Sequence, residues 1–427
     1  MIHRTNIFAF AVASALGSAA LPCAAAPALA QRSPELSATR QSAAATVGMP
    51  AATVASNALG GARPRILLTG YWPPSNEAVR PFSRSATQNP GGWRGDDWRG
   101  RGYDIVSYFP EFANPNCSNC GRGMGDLEVD YQDTTADFAA ITAQEQPIAI
   151  ITFSRGFIDR SWEVEMNQFN RTSWIPDFLA PTLPTPQPPD AGFANNFNRL
   201  SALPVEAIVS RVAQGGLNIA PAICFSGDGG GYLSEFIAYL GVWYQNQHRD
   251  PMDPAWCISA GHIHVGGQLD WPTARQAVEL SLEALIDHLD GVRACAPPPQ
   301  PYCARTPNSV GTGTMLHVRG VPSLSGNLLG FAAQQGPPNA TSILVFGSGR
   351  TQSPLADGQL CIAANLRRIG PAGIFSNRGA QRLQVDLTQP VFANVTAGST
   401  WSFQLWHRDN TPGGANLSDA LEITFCQ

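Results

Sequence analysis

Lysine is missing from this chain: all 27 basic side chains are arginine. That excludes Schiff-base chemistry and a serine–lysine dyad, both of which need an ε-amine. Charge is sparse as well, at 14% of residues, and sums to −5 without a basic run. This argues against nucleic acid as a partner, because phosphate contacts need a concentrated basic face. Long apolar runs are also lacking. The most apolar stretch, residues 7–21, is short and alanine-rich, so no stable membrane anchor is expected. With 44% hydrophobic residues the chain is still globular in character, not disordered.

At 427 residues it is too long for one ordinary core, and two domains are expected. Arg4, the apolar residues 7–21 and Ala28-Leu29-Ala30 have the pattern of an export signal cleaved after Ala30. A secreted or periplasmic bacterial protein is therefore expected. Residues 31–62, rich in Ala, Ser and Thr, are expected to form a flexible leader. Cleavage would remove Cys23 and leave eight of the nine cysteines, an even number suited to an oxidising compartment. Cys117 and Cys120 form a CxxC with no second CxxC and no helix directly after it, which favours a local disulfide over a redox or zinc site. Candidate further pairs are Cys224–Cys257, Cys295–Cys303 and Cys361–Cys426, although sequence does not fix connectivity.

From residue 63 to 293 strand-like and helix-like segments alternate, and 147–153 (PIAIITF) is a near-continuous apolar run suited to a doubly covered strand. An α/β domain is expected, with a three-layer, open, mainly parallel sheet. Residues 294–304 make a proline-rich linker, and 305–427 carry short β-like runs that predict an all-β sandwich. Within the α/β domain one stretch stands out, residues 226–244 (SGDGGGYLSEFIAYLGVWY). Its glycines require a tight turn, and Leu233, Phe236, Ile237, Leu240 and Tyr244 follow at helical spacing. A strand, a glycine turn and a helix would put Ser234 on the first helical turn. Free N–H groups near Gly229, Gly230, Gly231 and Tyr232 could face an oxyanion there.

A serine nucleophile needs a base, and the base needs an orienting group. His248 and His288 fall late in helical segments, whereas His262 and His264 end a strand and share one face. That pair is also half of a possible metal site, but no third ligand is evident, and no metal or other cofactor is expected. Four segments together resemble the pyroglutamyl peptidase I family. Residues 66–71 (ILLTGY) resemble its opening strand and turn, and 165–170 (EMNQFN) its glutamate segment. Residues 226–234 resemble its S-x-x-A-G-x-Y-L-C nucleophile motif, and 263–265 (IHV) the segment of its catalytic histidine. Here Ser234 stands where the family has cysteine, and Pro73-Pro74-Ser75-Asn76 stands where it has a P-F-G-G loop that helps hold the pyroglutamyl ring.

The resemblance covers about residues 65–292. It implies a peptide or amide hydrolase with Ser234 as nucleophile, His264 as base and Glu165 as orienting carboxylate, Glu163 being second choice. It also implies that Tyr71, Trp72 and Asn76 lie on a substrate loop, with Arg155 a loose counterpart of the family's arginine. The rival expectation is a secreted, catalytically inactive binding module on the same fold. The ending 401–408 with 416–425 resembles a β-module of other secreted bacterial proteins, of unknown partner.

Overall fold

The computed structural model describes residues 63–427 apart from 116, 118, 119, 226–229 and 296. The expected export signal and leader lie outside the described residues, as does Gly229. The first half is a six-stranded sheet with helices on both faces. Its strands are β1 (Arg65–Tyr71), β2 (Asp104–Tyr108), β3 (Ala149–Arg155), β4 (Ser161–Glu165), β7 (Ala220–Cys224) and β8 (Ser259–Val265), in the order β2-β1-β3-β8-β4-β7. The helices are α1 (Ser75–Val79), α2 (Tyr131–Glu145), α3 (Val205–Gln214), α4 (Leu233–Gln247) and α5 (Trp271–Ala294).

Alternation along the strands builds two cores. Ile66, Leu68, Ile151, Phe153, Ile263 and Val265 face the α1, α3 and α5 layer. Leu67, Val106, Ile150 and Ala260 face α2 and α4. Side chains at 152, 154, 262 and 264 therefore point to the α4 side. Asp130 caps α2 by accepting from the Gln132 and Asp133 N–H groups at 2.9 and 3.1 Å, and Asp270 caps α5 by accepting from Thr273 N–H at 2.9 Å.

The sheet is mainly but not wholly parallel: β4 runs antiparallel to β8 and parallel to β7. Residues 161–165 (SWEVE) carry a period-two pattern that their charges obscure. Trp162 and Val164 enter one core, while Glu163 and Glu165 turn to the other face. After β4 the chain forms β5 (Asn167–Asn170), paired antiparallel with β6 (Phe197–Leu200) beside α4.

The second half packs two antiparallel sheets. One contains β10 (Met315–Arg319), β11 (Gly330–Gln334) and β14 (Gln381–Gln384). The other contains β9 (Gln300–Tyr302), β12 (Thr341–Leu355), β13 (Gly358–Ile374), β15 (Thr400–Arg408) and β16 (Ala415–Thr424). Leu316 and Phe331 meet Phe346, Phe403 and Ile423 between them, with the Phe331 and Phe403 rings 5.1 Å apart. Residues 300–302, expected within a linker, instead add an edge strand to β16.

Cys117 and Cys120 are bridged. Two further bridges among the described residues are Cys295–Cys426 and Cys303–Cys361, which corrects the expected Cys295–Cys303 and Cys361–Cys426 pairs. The extended β9 carries Cys303 away from Cys295 and leaves the end of α5 beside the C-terminus. Cys224 and Cys257 are buried thiols and do not bridge, because β4 lies between β7 and β8. The Cys295–Cys426 bridge ties the two halves together, as do two bonds from Arg319 to the Ser201 and Leu203 carbonyls, each 2.6 Å. Peptide mapping without reduction should recover Cys295–Cys426 and Cys303–Cys361. Replacing both Cys295 and Cys426 by alanine should cost about 2–4 kcal/mol in chemical unfolding, because the bridge closes a long loop.

Candidate functional site

The site begins at an antiparallel register. On β4 and β8, Glu163 lies opposite His264, and Glu165 lies opposite His262. Diagonal neighbours on one sheet face remain within reach of long side chains. Glu165 uses that diagonal: His264 Nδ1–H donates to Glu165 Oε1 at 2.8 Å. His262 is occupied on both ring nitrogens, by Thr152 Oγ1 and Ser154 Oγ, each at 2.8 Å. Glu165, His264 and His262 are all buried, at 3%, 8% and 0% exposure. Gly156 lets β8 close in, since a Cβ there would stand 3.1 Å from the His264 Cβ.

The two histidines differ in charge preference. Burial, reinforced by the neighbouring His264, holds His262 well below the ordinary histidine range, so its ring is neutral and takes one proton while giving another. Burial also pulls His264 down. The bond and charge of Glu165, with the charges of Glu163 and Glu235, outweigh it and hold His264 above the ordinary value. With both ring nitrogens committed, His262 does not join His264 as a metal half-site. Glu163, Glu165 and His264 do place one ligand atom each within 4.8 Å of one another, a set that could hold a cation.

Ser234 is the second residue of α4 and is half-buried. It follows a turn in which Gly230 and Gly231 have φ of 82° and 70°, a left-handed region that glycine enters without strain. Tyr232 caps α4 through its backbone without a side-chain bond, and its ring meets Tyr131 edge-on. Glu235, next to Ser234, is fully buried. Its Oε2 accepts the Gly231 N–H at 2.7 Å and Arg171 Nε at 2.7 Å. A glutamate in the first turn that reaches back to an N–H ahead of the helix is a capping-box relative, and it clamps the turn before Ser234. Its charge acts on His264, so the start of α4 and the end of β8 share one electrostatic site.

The positions expected to meet substrate divide. Tyr71 is buried with its hydroxyl on Thr134, and Asn76 is buried with Nδ2 donating to the Pro110 carbonyl at 2.8 Å while its Oδ1 has no partner among the described residues. Trp72 is half-buried, with φ 61°. Its indole donates to the Gly121 carbonyl at 2.9 Å, and the Arg155 guanidinium lies 4.8 Å from its ring centre. Arg155 also donates to the Cys117 carbonyl at 2.9 Å, so the Cys117–Cys120 loop, Trp72 and Arg155 form one wall. A cleft of about 620 Å³ runs past Pro73, Pro74, Cys117, Arg155, Asp270 and Trp271. Asn170 lies away from Glu165, donating to the Asp190 and Phe193 carbonyls at 2.9 and 3.0 Å.

Sequence reasoning missed Glu235, Arg171, Thr152 and Ser154. The first had a signal, an acid three residues beyond a helix cap. Arg171 had none, because its partner is 64 positions away.

No protein-family model and no curated protein matches the chain. Solved structures do. Pyroglutamyl peptidase I of Bacillus amyloliquefaciens is 17% identical over 53% of this chain and 98% of that one, with a TM-score of 0.36. The pyrrolidone carboxyl peptidase of Thermococcus litoralis is 15% identical over 53% and 95%, with a TM-score of 0.37. A variant of the Pyrococcus furiosus enzyme is 15% identical over 53% and 99%, with a TM-score of 0.37. What the site does has to be argued from its own residues.

The raised His264 value has a sign. Relative to an unfolded histidine near 6.5, its contribution to stability is fully present below that pH and is lost as pH rises through the folded value. Glu165→Gln should lower the His264 value, read by NMR of the imidazole protons, and flatten the loss of stability above pH about 6.5. An unchanged value would mean that Glu165 is not its main partner. Glu235→Gln should cost about 1–3 kcal/mol, because Arg171 loses a buried partner, and should raise protease sensitivity at the glycine turn.

Proposed function

We propose that the protein is an exported hydrolase of peptide or amide bonds in which Ser234, His264 and Glu165 act as a triad. The observation that carries this reading is the buried 2.8 Å bond between His264 Nδ1 and Glu165 on the side of the sheet that holds the start of α4. With Nδ1–H held by the carboxylate, Nε2 is the nitrogen that can take a proton. In this reading Nε2 receives the Ser234 proton as Oγ bonds to the substrate carbonyl carbon. It returns that proton to the leaving amine when the carbon–nitrogen bond breaks, and water then releases the acyl group by the same path. Backbone N–H groups from Gly230 to Leu233 and the positive end of α4 would face the developing oxyanion. Gly231 would act through the turn's shape, because its N–H is already given to Glu235.

A raised His264 suits a base whose imidazolium must be stabilised as the serine is deprotonated. The motif resemblance supports the same three residues, and three disulfides support an oxidising compartment. Among the described residues no helix is long and apolar enough to cross a membrane. Because Asn76 and Tyr71 are enclosed and the P-F-G-G sequence is missing, selection of a pyroglutamyl ring is not part of this proposal.

A fluorophosphonate probe followed by intact-mass measurement should add one adduct to the full chain and none to Ser234→Ala. On a substrate found by screening N-blocked peptides and amides, Ser234→Ala should lower kcat by on the order of 10⁴ or more. The same adduct in Ser234→Ala would remove Ser234 from the mechanism. No adduct and no turnover from a folded chain would favour the binding-module reading. The acid limb of kcat/KM should lie above pH about 6.5, and Glu165→Gln should move it to lower pH.

A further inference from the structure

Between the two halves of the molecule lies a cavity of about 90 Å³ whose walls come from both. His288 of α5 and Arg249, just beyond α4, line it from the α/β side; His317 and Arg319 of β10 and Gln334 of β11 line it from the other. No carboxylate is among the residues that line it. Asp419 pairs with Arg249 at 2.8 Å from outside the lining, and Arg319 is satisfied only by carbonyls, so the walls keep an excess of positive charge. Burial pulls Arg319 down to about 10, and burial with the charge of nearby arginines holds His317 and His288 below the ordinary range.

Two polar atoms on this lining are buried without a hydrogen-bond partner among the described residues, His317 Nε2 and Gln334 Oε1. Gln334 is 1% exposed. Arg249 Nη1 lies 3.5 Å from His317 Nδ1 and can only donate, so Nδ1 accepts and Nε2 carries the proton. The lining thus brings together two guanidinium groups, one imidazole N–H and one amide acceptor. Buried polar atoms without partners are destabilising, and apolar filling would not satisfy them.

We propose that this interdomain cavity binds a small oxyanion that carries its own hydroxyl, such as hydrogenphosphate or a hydroxycarboxylate, and thereby fastens the two halves together. The anionic oxygens accept from Arg249, Arg319 and His317 Nε2–H, and the hydroxyl donates to Gln334 Oε1. The volume admits a few heavy atoms beyond a single water, for which about 10–15 Å³ suffices. The proposal does not rest on Ser234 or on hydrolase activity.

Isothermal titration of the full chain with sodium phosphate, and separately with glycolate, against sodium chloride at matched ionic strength tests it. One saturable site is expected for phosphate or for glycolate, and whichever binds identifies the source of the oxyanion. The binding anion should also raise Tm by about 1–2 °C at a few times Kd. Arg319→Met should weaken binding about tenfold or more, but it also removes the clamp on Ser201 and Leu203. Gln334→Leu leaves that clamp intact, and should weaken binding about tenfold without lowering Tm in the anion's absence. No saturable binding of either anion, as for a cavity that holds water alone, would overturn the proposal. So would affinity unchanged in both variants.

Discussion

A carboxylate and an imidazole enclosed together are costly to desolvate and are tolerated only when each answers the other with charge and a hydrogen bond. Glu165 and His264 meet that condition, and their surroundings follow from it. β4 must run antiparallel to β8 for Glu165 to reach His264 along the diagonal. His262, two positions earlier on the same face, must be neutral, and the Thr152 and Ser154 hydroxyls keep it so. Glu235 adds further negative charge, and Arg171 offsets it while fixing the glycine turn. The Glu165 hydrogen bond, together with the carboxylate charge around one imidazole, holds His264 above its ordinary value against burial.

The contact between the halves has a different character. It is not an extension of either apolar core but a set of directed links. Arg319 grips two carbonyls, Arg249 meets Asp419, Arg382 meets Glu206, and Cys295 is bridged to Cys426. Two small apolar clusters support them among the described residues, Val292 and Val321 around Cys295, and Leu200 with Ala332 and Ala380. Directed contacts of this kind fix orientation more than they add affinity, because buried ionic groups largely offset their own desolvation. The β9 strand reinforces the arrangement by turning the expected linker into an edge of the second sheet.

The glycine turn joins these two themes. It is held from below by Glu235 and from the side by the segment after β5, whose Ile175 N–H donates to the Gly231 carbonyl at 2.8 Å. The same segment supplies Arg171, and Phe169 just before it is stacked by Arg171 and by Arg378 of the second half. A displacement of the second domain would therefore be felt within a few residues of Ser234.

The sequence by itself determined the elements with strong periodicity and the chemistry that local order carries. The near-continuous apolar run of β3, the amphipathic α5 and the strand, turn and helix around Ser234 were legible, because burial on one face or both leaves a repeating pattern. The expected pairing of His264 with Glu165 is present as a 2.8 Å hydrogen bond. Tertiary structure alone decided what depends on partners distant in the chain. The antiparallel β4 was hidden because a charged face toward a site looks like a loop. The cysteine pairing was decided by strand order, which puts β4 between Cys224 and Cys257. The enclosure of Tyr71 and Asn76, the Arg171–Glu235 clamp and the basic interdomain cavity leave no local signature, because each is a meeting of side chains that only the packed fold brings within reach.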